Sequence, residues 1–328
     1  MKMVKSNPMK IVVDDGYGNI KVVLRGANGI EKHIIPSLAV AGVYPVVSNS
    51  DDDRIQFIRT GGEVFTVGSP HDAEDTRFQH YATSNMNRAL VRYAIQRAGV
   101  ADDAVFDLGV GLPAGQFFVG GKPNATAIEA KTAHHKLQVF RVTDKDSLLS
   151  VPDQVACFPQ ASGVALIHED PSLDPDDIVT VAVVDIGHRT TDVSVTIDGE
   201  LRVSRSGGMM DHGVAHARNR FRDALEQRFG LNMTRMVDRA FSKKNVMISG
   251  ERFDVTAEWQ QCVDETAQTI IRAVEALVGG TADIDRILLI GGGALIFGDS
   301  IKKAWKQANV VDDPVFANAL SWLSLMDE

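Results

Sequence analysis

Twice in this chain an apolar strand runs into an aspartate, turns through glycine and returns as a second apolar strand: IVVDDGYGNIKVV from Ile11 to Val23, and AVVDIGHRTTDVSV from Ala182 to Val195. Each copy opens one half of the sequence. The echo fits an internal duplication and fits two independent hairpins equally well. Either way it predicts a mixed α/β chain in two halves, each beginning with an antiparallel hairpin.

The remaining periodicity fills in those halves. Met9–Asp14, Asn19–Arg25 and Ile30–Ile35 read as three strands, and 54–67 as two more about the Gly61-Gly62 turn. Helical spacing follows over Asn85–Ala98, then a buried strand Val105–Val110, a short helix Asn124–Lys131, and strands Leu137–Val142 and Ser150–Phe158. Residues 1–8 are expected to be a flexible lead-in. Asp170–Asp177, with two prolines and several acidic residues, reads as a linker, so the first domain is placed at 9–175 and the second at 176–305. In the second half, strands are expected over Thr180–Asp185, Thr191–Ile197 and Glu200–Ser206. Helices are expected over Gly213–Phe229, Ala257–Leu277 and Leu295–Ala304, with a strand at Arg286–Ile290. A last helix is expected at Val315–Leu325, in a C-terminal segment 306–328 that returns to the first domain.

With 328 residues the chain can bury more than one core, as two domains require. The 43 acidic residues outnumber the 34 basic ones, for a formal charge of −9, which disfavours direct binding to a phosphate backbone. Two widely separated cysteines, Cys157 and Cys262, give neither a disulfide framework nor a thiolate metal cage, and suit a reducing cytoplasm. No run approaches the roughly 18 to 20 apolar residues of a membrane helix.

The chemistry gathers at the turns. Asp14, Asp15, Gly16, Tyr17, Gly18 and Asn19 offer a carboxylate strand end and backbone N–H groups without Cβ obstruction, and Lys21 adds a charge beside them. The same glycines would serve an ordinary hairpin turn. The second turn repeats the pattern with Asp185, Gly187, His188, Arg189, Thr190 and Asp192. Two such turns could hold a nucleotide's phosphates, with Asp14 and Asp185 orienting a hydrated Mg²⁺. In IGGGALI, Ile290–Ile296, a buried strand passes through Gly291, Gly292 and Gly293 into a helix beginning near Ala294. Bare backbone there could lie against an adenine or ribose, or could serve a tight packing corner.

These three segments together resemble the actin-like ATPases, which share a nucleotide core with heat-shock chaperone ATPases and sugar kinases. Asp14–Lys21 resembles their first phosphate hairpin, Asp185–Asp192 their second, and Ile290–Ile296 their adenosine motif. Within that superfamily DDGYGNIK, VACFPQASGVAL and IGGGALI resemble the plasmid-segregation ParM/StbA group, from about Met9 onward. The resemblance implies two related domains hinged over Mg·ATP, with GTP as the alternative nucleotide. It also implies filaments of the protein itself, a ParR-like DNA-bound adaptor, and ATP hydrolysis that times disassembly.

Carried over by position, the resemblance gives Asp14 and Asp185 to the metal and its waters. It gives the phosphates to Asp15, Gly16, Tyr17, Gly18, Asn19, Lys21, Gly187, His188, Arg189, Thr190 and Asp192. Gln160, after Pro159 at an expected helix start, occupies the place of the residue that positions the attacking water. ParM has a carboxylate there and actin an amide; an amide orients water but accepts its proton poorly, which predicts slow turnover. His188-Arg189 departs from the glycine usual after Gly187. Arg218 and Arg222, at helical spacing, fall where the family places the nucleotide base, alongside Gly291, Gly292, Gly293 and Ala294.

Other signals read more plainly. His212 and His216 share a helix face but lack a third ligand, and His134-His135 reads as surface. Two other functions use the same turns: a small-molecule kinase of the sugar-kinase type, with Asp107 as its base, and a nucleotide-binding scaffold without turnover.

Overall fold

The computed structural model describes residues 8–26, 29–44, 55–68, 73–74, 76, 78, 80–143, 145–167 and 178–327. The linker expected at Asp170–Asp177, and all of the expected lead-in but Pro8, lie outside the described residues. The chain divides into two compact units, 1–167 with 316–328, and 168–315.

The first unit is built on a five-stranded sheet in the order Val155–Pro159, Phe106–Leu112, Met9–Asp15, Asn19–Gly26, Gly29–Pro36. The first three strands are parallel and the last three antiparallel, so the aspartate-ended strand joins the two patterns. It is buried on both faces. Ile11 and Val13 join a core with Leu90, Val91 and Ala94 of the helix Asn85–Arg97, while Val12 and Val23 pack on Trp322 and Leu323 of the helix Ala317–Asp327. Ser84 caps the first of these helices, its hydroxyl accepting the Asn87 N–H at 3.1 Å. A second sheet of five short strands runs Ser147–Leu149, Val139–Arg141, Gln56–Thr60, Glu63–Val67, Ala39–Ala41.

The second unit repeats the junction. Thr180–Ile186 pairs antiparallel with Thr190–Ile197 and parallel with Arg286–Ile290, which pairs with Ala308–Val310. Ala182, Val184 and Ile186 pack on Val263, Ala267, Ile270 and Val274 of the helix Thr256–Val278. A further core gathers Phe221 and Leu225 of the helix Val214–Phe229 with Met233, Val237 and Val255.

Several expected elements differ. The segment 200–206 is not one strand: after Glu200–Leu201 the Ser206 hydroxyl accepts the Val195 N–H at 3.0 Å, interrupting the ladder, and Gly207–Met210 resumes pairing with Thr190–Val193. Ser150–Phe158 becomes a strand only at Val155, because Pro152 cannot donate to a ladder. The last helix, expected at Val315–Leu325, occupies Ala317–Asp327; the rest of the segment 306–328 does not belong to it, since Pro314 breaks the chain there and Ala308–Val310 is a strand of the second unit. His134-His135 is buried, because the helix expected to stop at Lys131 continues through His135. Unexpected from the sequence are the helix Val237–Lys243 and the hairpin Asn245–Ile248/Glu251–Asp254.

Candidate functional site

At the first turn the strand register sets Asp14 opposite Lys21, and the Lys21 ammonium holds the Asp14 carboxylate at 3.0 Å. Asp14 is buried, so this charge is neutralised within the hairpin. Asp15, next in the chain, directs its carboxylate into the core, where Lys131 and Asn87 Nδ2 (2.6 Å) donate to it. Only its backbone remains part of the turn.

The turn glycines are not conformational requirements. Neither Gly16 nor Gly18 adopts a positive φ. A Cβ on Gly16 would lie 2.9 Å from the Asn19 carbonyl and 3.2 Å from Lys21 Nζ, so glycine there admits close approach of backbone and ammonium. The Tyr17 ring packs on Tyr81 with centroids 5.3 Å apart, and the Gly18 carbonyl accepts the Ser37 N–H at 3.1 Å. Asn19 begins the return strand and is exposed.

The second turn has the same form. Asp185 sits opposite Asp192 in the register, and both are buried. Carboxylate oxygens are the donors that a hard divalent cation such as Mg²⁺ takes, so the chemistry of these side chains fits it. Gly187 again lacks positive φ, and a Cβ there would meet the Thr190 carbonyl at 3.2 Å. Thr190 begins the return strand; the following Thr191 hydroxyl donates to the His212 carbonyl. Arg189 Nε donates to Asp211 at 3.3 Å, which gives the cation a partner inside the second unit. The carbonyls of Gly187 and His188 accept from Val214 (3.1 Å) and Ala215 (2.7 Å), the first amides of the helix Val214–Phe229.

That contact makes Gly213 essential, since a Cβ would come within 2.7 Å of both the Gly187 and His188 carbonyls. Sequence reading passed over Gly213, although a glycine just before a helix that lacks an N-capping side chain was a signal.

The glycine run Gly291–Gly293 lies directly on the second hairpin. Gly291, at φ +80°, receives Asp185 Oδ1 and the Ile186 carbonyl where its Cβ would be, and its N–H donates to Pro314 O at 2.7 Å. Gly293 donates to the Ile186 carbonyl at 2.8 Å. Gly292 has nothing within 4 Å of its Cβ position. The helix Ala294–Ala304 then begins, with Ala294 buried. Thus Asp185 and the glycine run form one local arrangement.

Gln160 is not at a helix start. It lies in the turn after Val155–Pro159, its N–H bonded to the Leu112 carbonyl at 2.8 Å, and a single helical turn begins only at Val164. Ala161 and Gly163 take positive φ between them, so the chain must reverse before it can coil. Arg218 forms a two-pronged pair with Asp238, and Arg222 pairs with its neighbour Asp223. The guanidinium of Arg218 accordingly holds the Asp238 carboxyl below the usual carboxylate range.

His212 Nδ1 lies 2.6 Å from the Met210 carbonyl, and His216 accepts from Arg220 at 3.0 Å, leaving no shared metal geometry. Among the described residues no group of three or more His, Cys, Asp or Glu side chains could hold a metal, and no helix is long and apolar enough to cross a membrane. Asp107 accepts the Gln154 N–H at 3.0 Å, a structural use that competes with a role as catalytic base.

The archaeal actin homologue MreB-like C-terminal family matches residues 183–303, and the actin-like proteins N-terminal domain family matches residues 13–163. No match arises among curated proteins. Among solved structures, a non-polymerisable quadruple mutant of pCBH ParM aligns at TM-score 0.78 with 18% identity, covering 98% of this chain and 99% of that one. A 15-stranded ParM filament from Clostridium botulinum aligns at TM-score 0.77 with 19% identity, covering 98% and 99%. An archaeal actin homolog in complex with ADP aligns at TM-score 0.75 with 20% identity, covering 97% and 99%. At these identities the likeness is one of fold. With an actin-like N-terminal match over the first hairpin and an MreB-like C-terminal match over the second hairpin and the glycine run, the chain belongs to the actin-like proteins.

Proposed function

We propose that this chain binds Mg·ATP, hydrolyses it slowly, and polymerises into filaments that move plasmid DNA. The observation that carries the reading is the repeated hairpin. In each unit a buried aspartate ends the central strand beside a glycine whose missing Cβ admits other atoms, and neither glycine is demanded by φ. The amides of the two turns, with Lys21, bind phosphate oxygens. Asp14 and Asp185 are the residues that would hold Mg²⁺, and the metal would supply charge neutralisation at the phosphate. Gln160 orients the attacking water, and its amide, a poor proton acceptor, keeps turnover slow. Gly292, with open space at its Cβ position, is where a nucleoside lies against backbone. GTP is the competing nucleotide.

The ParM filament among its structural relatives supports self-assembly as the use of this fold. An acidic chain of net charge −9 reaches DNA through a basic, ParR-like adaptor rather than directly, in the cytoplasm, with no membrane partner. Right-angle light scattering of micromolar protein after addition of Mg·ATP, with Mg·ADP as control, tests this. The expected trace rises with ATP and decays as phosphate is released. A flat trace despite measurable binding would move the chain to the non-hydrolysing scaffold, or to a kinase if an acceptor hydroxyl accelerates ADP release.

A further inference from the structure

The first turn is held from behind by its carbonyl groups. The Ser37 hydroxyl donates to the Gly16 carbonyl at 2.7 Å, the Thr76 hydroxyl to the Tyr17 carbonyl at 2.6 Å, and the Ser37 N–H to the Gly18 carbonyl at 3.1 Å. Three consecutive carbonyls are thus occupied. In a trans peptide the C=O and the following N–H point in opposite directions. Fixing the carbonyls of Gly16, Tyr17 and Gly18 therefore also fixes where the amides of Tyr17, Gly18 and Asn19 point.

Both clamping side chains are buried, Ser37 at 3% and Thr76 at 4% exposure, so neither hydroxyl is a casual surface contact. Just before the turn, Asp15 is anchored by a fully buried lysine. Lys131 donates to Asp15, to the Ala82 carbonyl at 2.7 Å and to Asn87 Oδ1 at 3.4 Å, using its three protons on three partners. Those partners tie the helices Asn85–Arg97 and Ala125–His135 and the short turn Tyr81–Thr83 to the strand end. A buried ion pair of this kind adds little net stability over an apolar replacement, but it fixes geometry.

We propose that Ser37 and Thr76, backed by Lys131 through Asp15, are positioning residues that preset the amides of the first turn toward an anion of the phosphate class. This rests on the reading of that turn as a phosphate site. The clamp itself is independent of hydrolysis: it costs the protein its reorganisation before the ligand arrives, which is how preorganisation raises affinity.

The test compares Thr76→Val, Thr76→Ser, Ser37→Ala and Lys131→Met with the wild-type chain, each checked for native circular dichroism. Amide hydrogen exchange of residues 16–19 is measured without nucleotide, and affinity is measured by titration with Mg·ADP. Thr76→Val should raise exchange in that turn at least tenfold and weaken Mg·ADP at least fivefold, while Thr76→Ser, which keeps the hydroxyl, stays within twofold of wild type in both. Ser37→Ala and Lys131→Met should follow Thr76→Val in both measurements. Unchanged exchange in a folded Thr76→Val and Ser37→Ala would overturn the clamp. A wild-type chain that fails to bind Mg·ADP or Mg·ATP would remove the phosphate reading, whereas the exchange comparison decides the clamp without any ligand. Should Lys131→Met fail to fold, the two hydroxyl variants carry the test.

Discussion

Asn318, on the C-terminal helix, accepts the backbone N–H of Ala161 through its side-chain oxygen at 3.0 Å, across 157 positions of sequence. Ala161 has φ +63°, a conformation that costs a non-glycine residue energy and persists only where its surroundings enforce it. Asn318 is one such enforcement, and Gln160 precedes the held residue directly. We therefore expect Asn318→Ala to relax the Gln160 turn. In the proposed ATPase, kcat should fall about tenfold with nucleotide affinity nearly unchanged, as also expected for Gln160→Ala. Steady-state kinetics beside equilibrium binding separate the two parameters; an equal loss in both would make Gln160 a binding residue.

Gly291 and Gly292 should respond oppositely to alanine. At Gly291 a Cβ meets Asp185 and the Ile186 carbonyl and φ is +80°, so Gly291→Ala should destabilise by about 2 kcal/mol or more. At Gly292 the Cβ position is open, so Gly292→Ala should leave the urea midpoint unchanged. Weaker nucleotide binding by a fully stable Gly292→Ala would then locate the ligand, and unaltered binding would remove Gly292 from the site.

Asp185→Ala tests the metal reading. Loss of turnover with Mg²⁺ is expected, while circular dichroism of the apo protein stays native. Unchanged steady-state ATPase would take Asp185 out of the site.

Acid should unfold the first unit by a route visible in its buried histidines. Burial, with the cations Arg88 and Lys131 adding to it, pushes the His134 imidazole down to about 3, and burial drives His135 well below its ordinary value. In the unfolded chain both take up protons near pH 6.5. Between about pH 6.5 and 3 the unfolded state therefore binds more protons, and stability falls as pH falls, by on the order of a few kcal/mol. Urea unfolding at pH 7.5, 6 and 5 should show this slope, and His134→Gln should flatten it. An identical slope in the variant would place the acid sensitivity elsewhere.

Trp322 should be the costliest single truncation on the C-terminal helix. It is fully buried, stacks on Phe158 with ring centroids 5.9 Å apart, and fills the space above Gly111, where a Cβ would collide with its ring. Trp322→Ala should cost about 3 to 5 kcal/mol, read as a shift in the urea midpoint.

The hairpins were legible because both of their signals are local: alternating β-branched residues, and a glycine beside an aspartate. What the sequence could not convey is which of two consecutive carboxylates turns inward. Asp14 and Asp15 look alike, yet Lys21 meets the first from seven residues away and Lys131 meets the second from 116. Thr76 meets Tyr17 from 59 residues away. His134-His135 was read as surface because polar residues before a strand usually are, and only tertiary packing extends the helix to bury them. The hairpin at 245–254 was available locally: Ser249-Gly250 takes positive φ at both positions, the turn that suits twisted strands, and a Ser-Gly pair between two β-prone runs announces it.

The carbonyls of the second turn are held by a helix. Val214 and Ala215 spend their amides on the Gly187 and His188 carbonyls, so the positive end of that helix is already satisfied by the protein's own backbone. The helix Val214–Phe229 is thereby a lever sixteen residues long with its short arm bonded to two peptide planes. It cannot slide along its axis or roll without rotating those planes, so the second turn is geared to the packing at the helix's far end, around Leu225 and Met233.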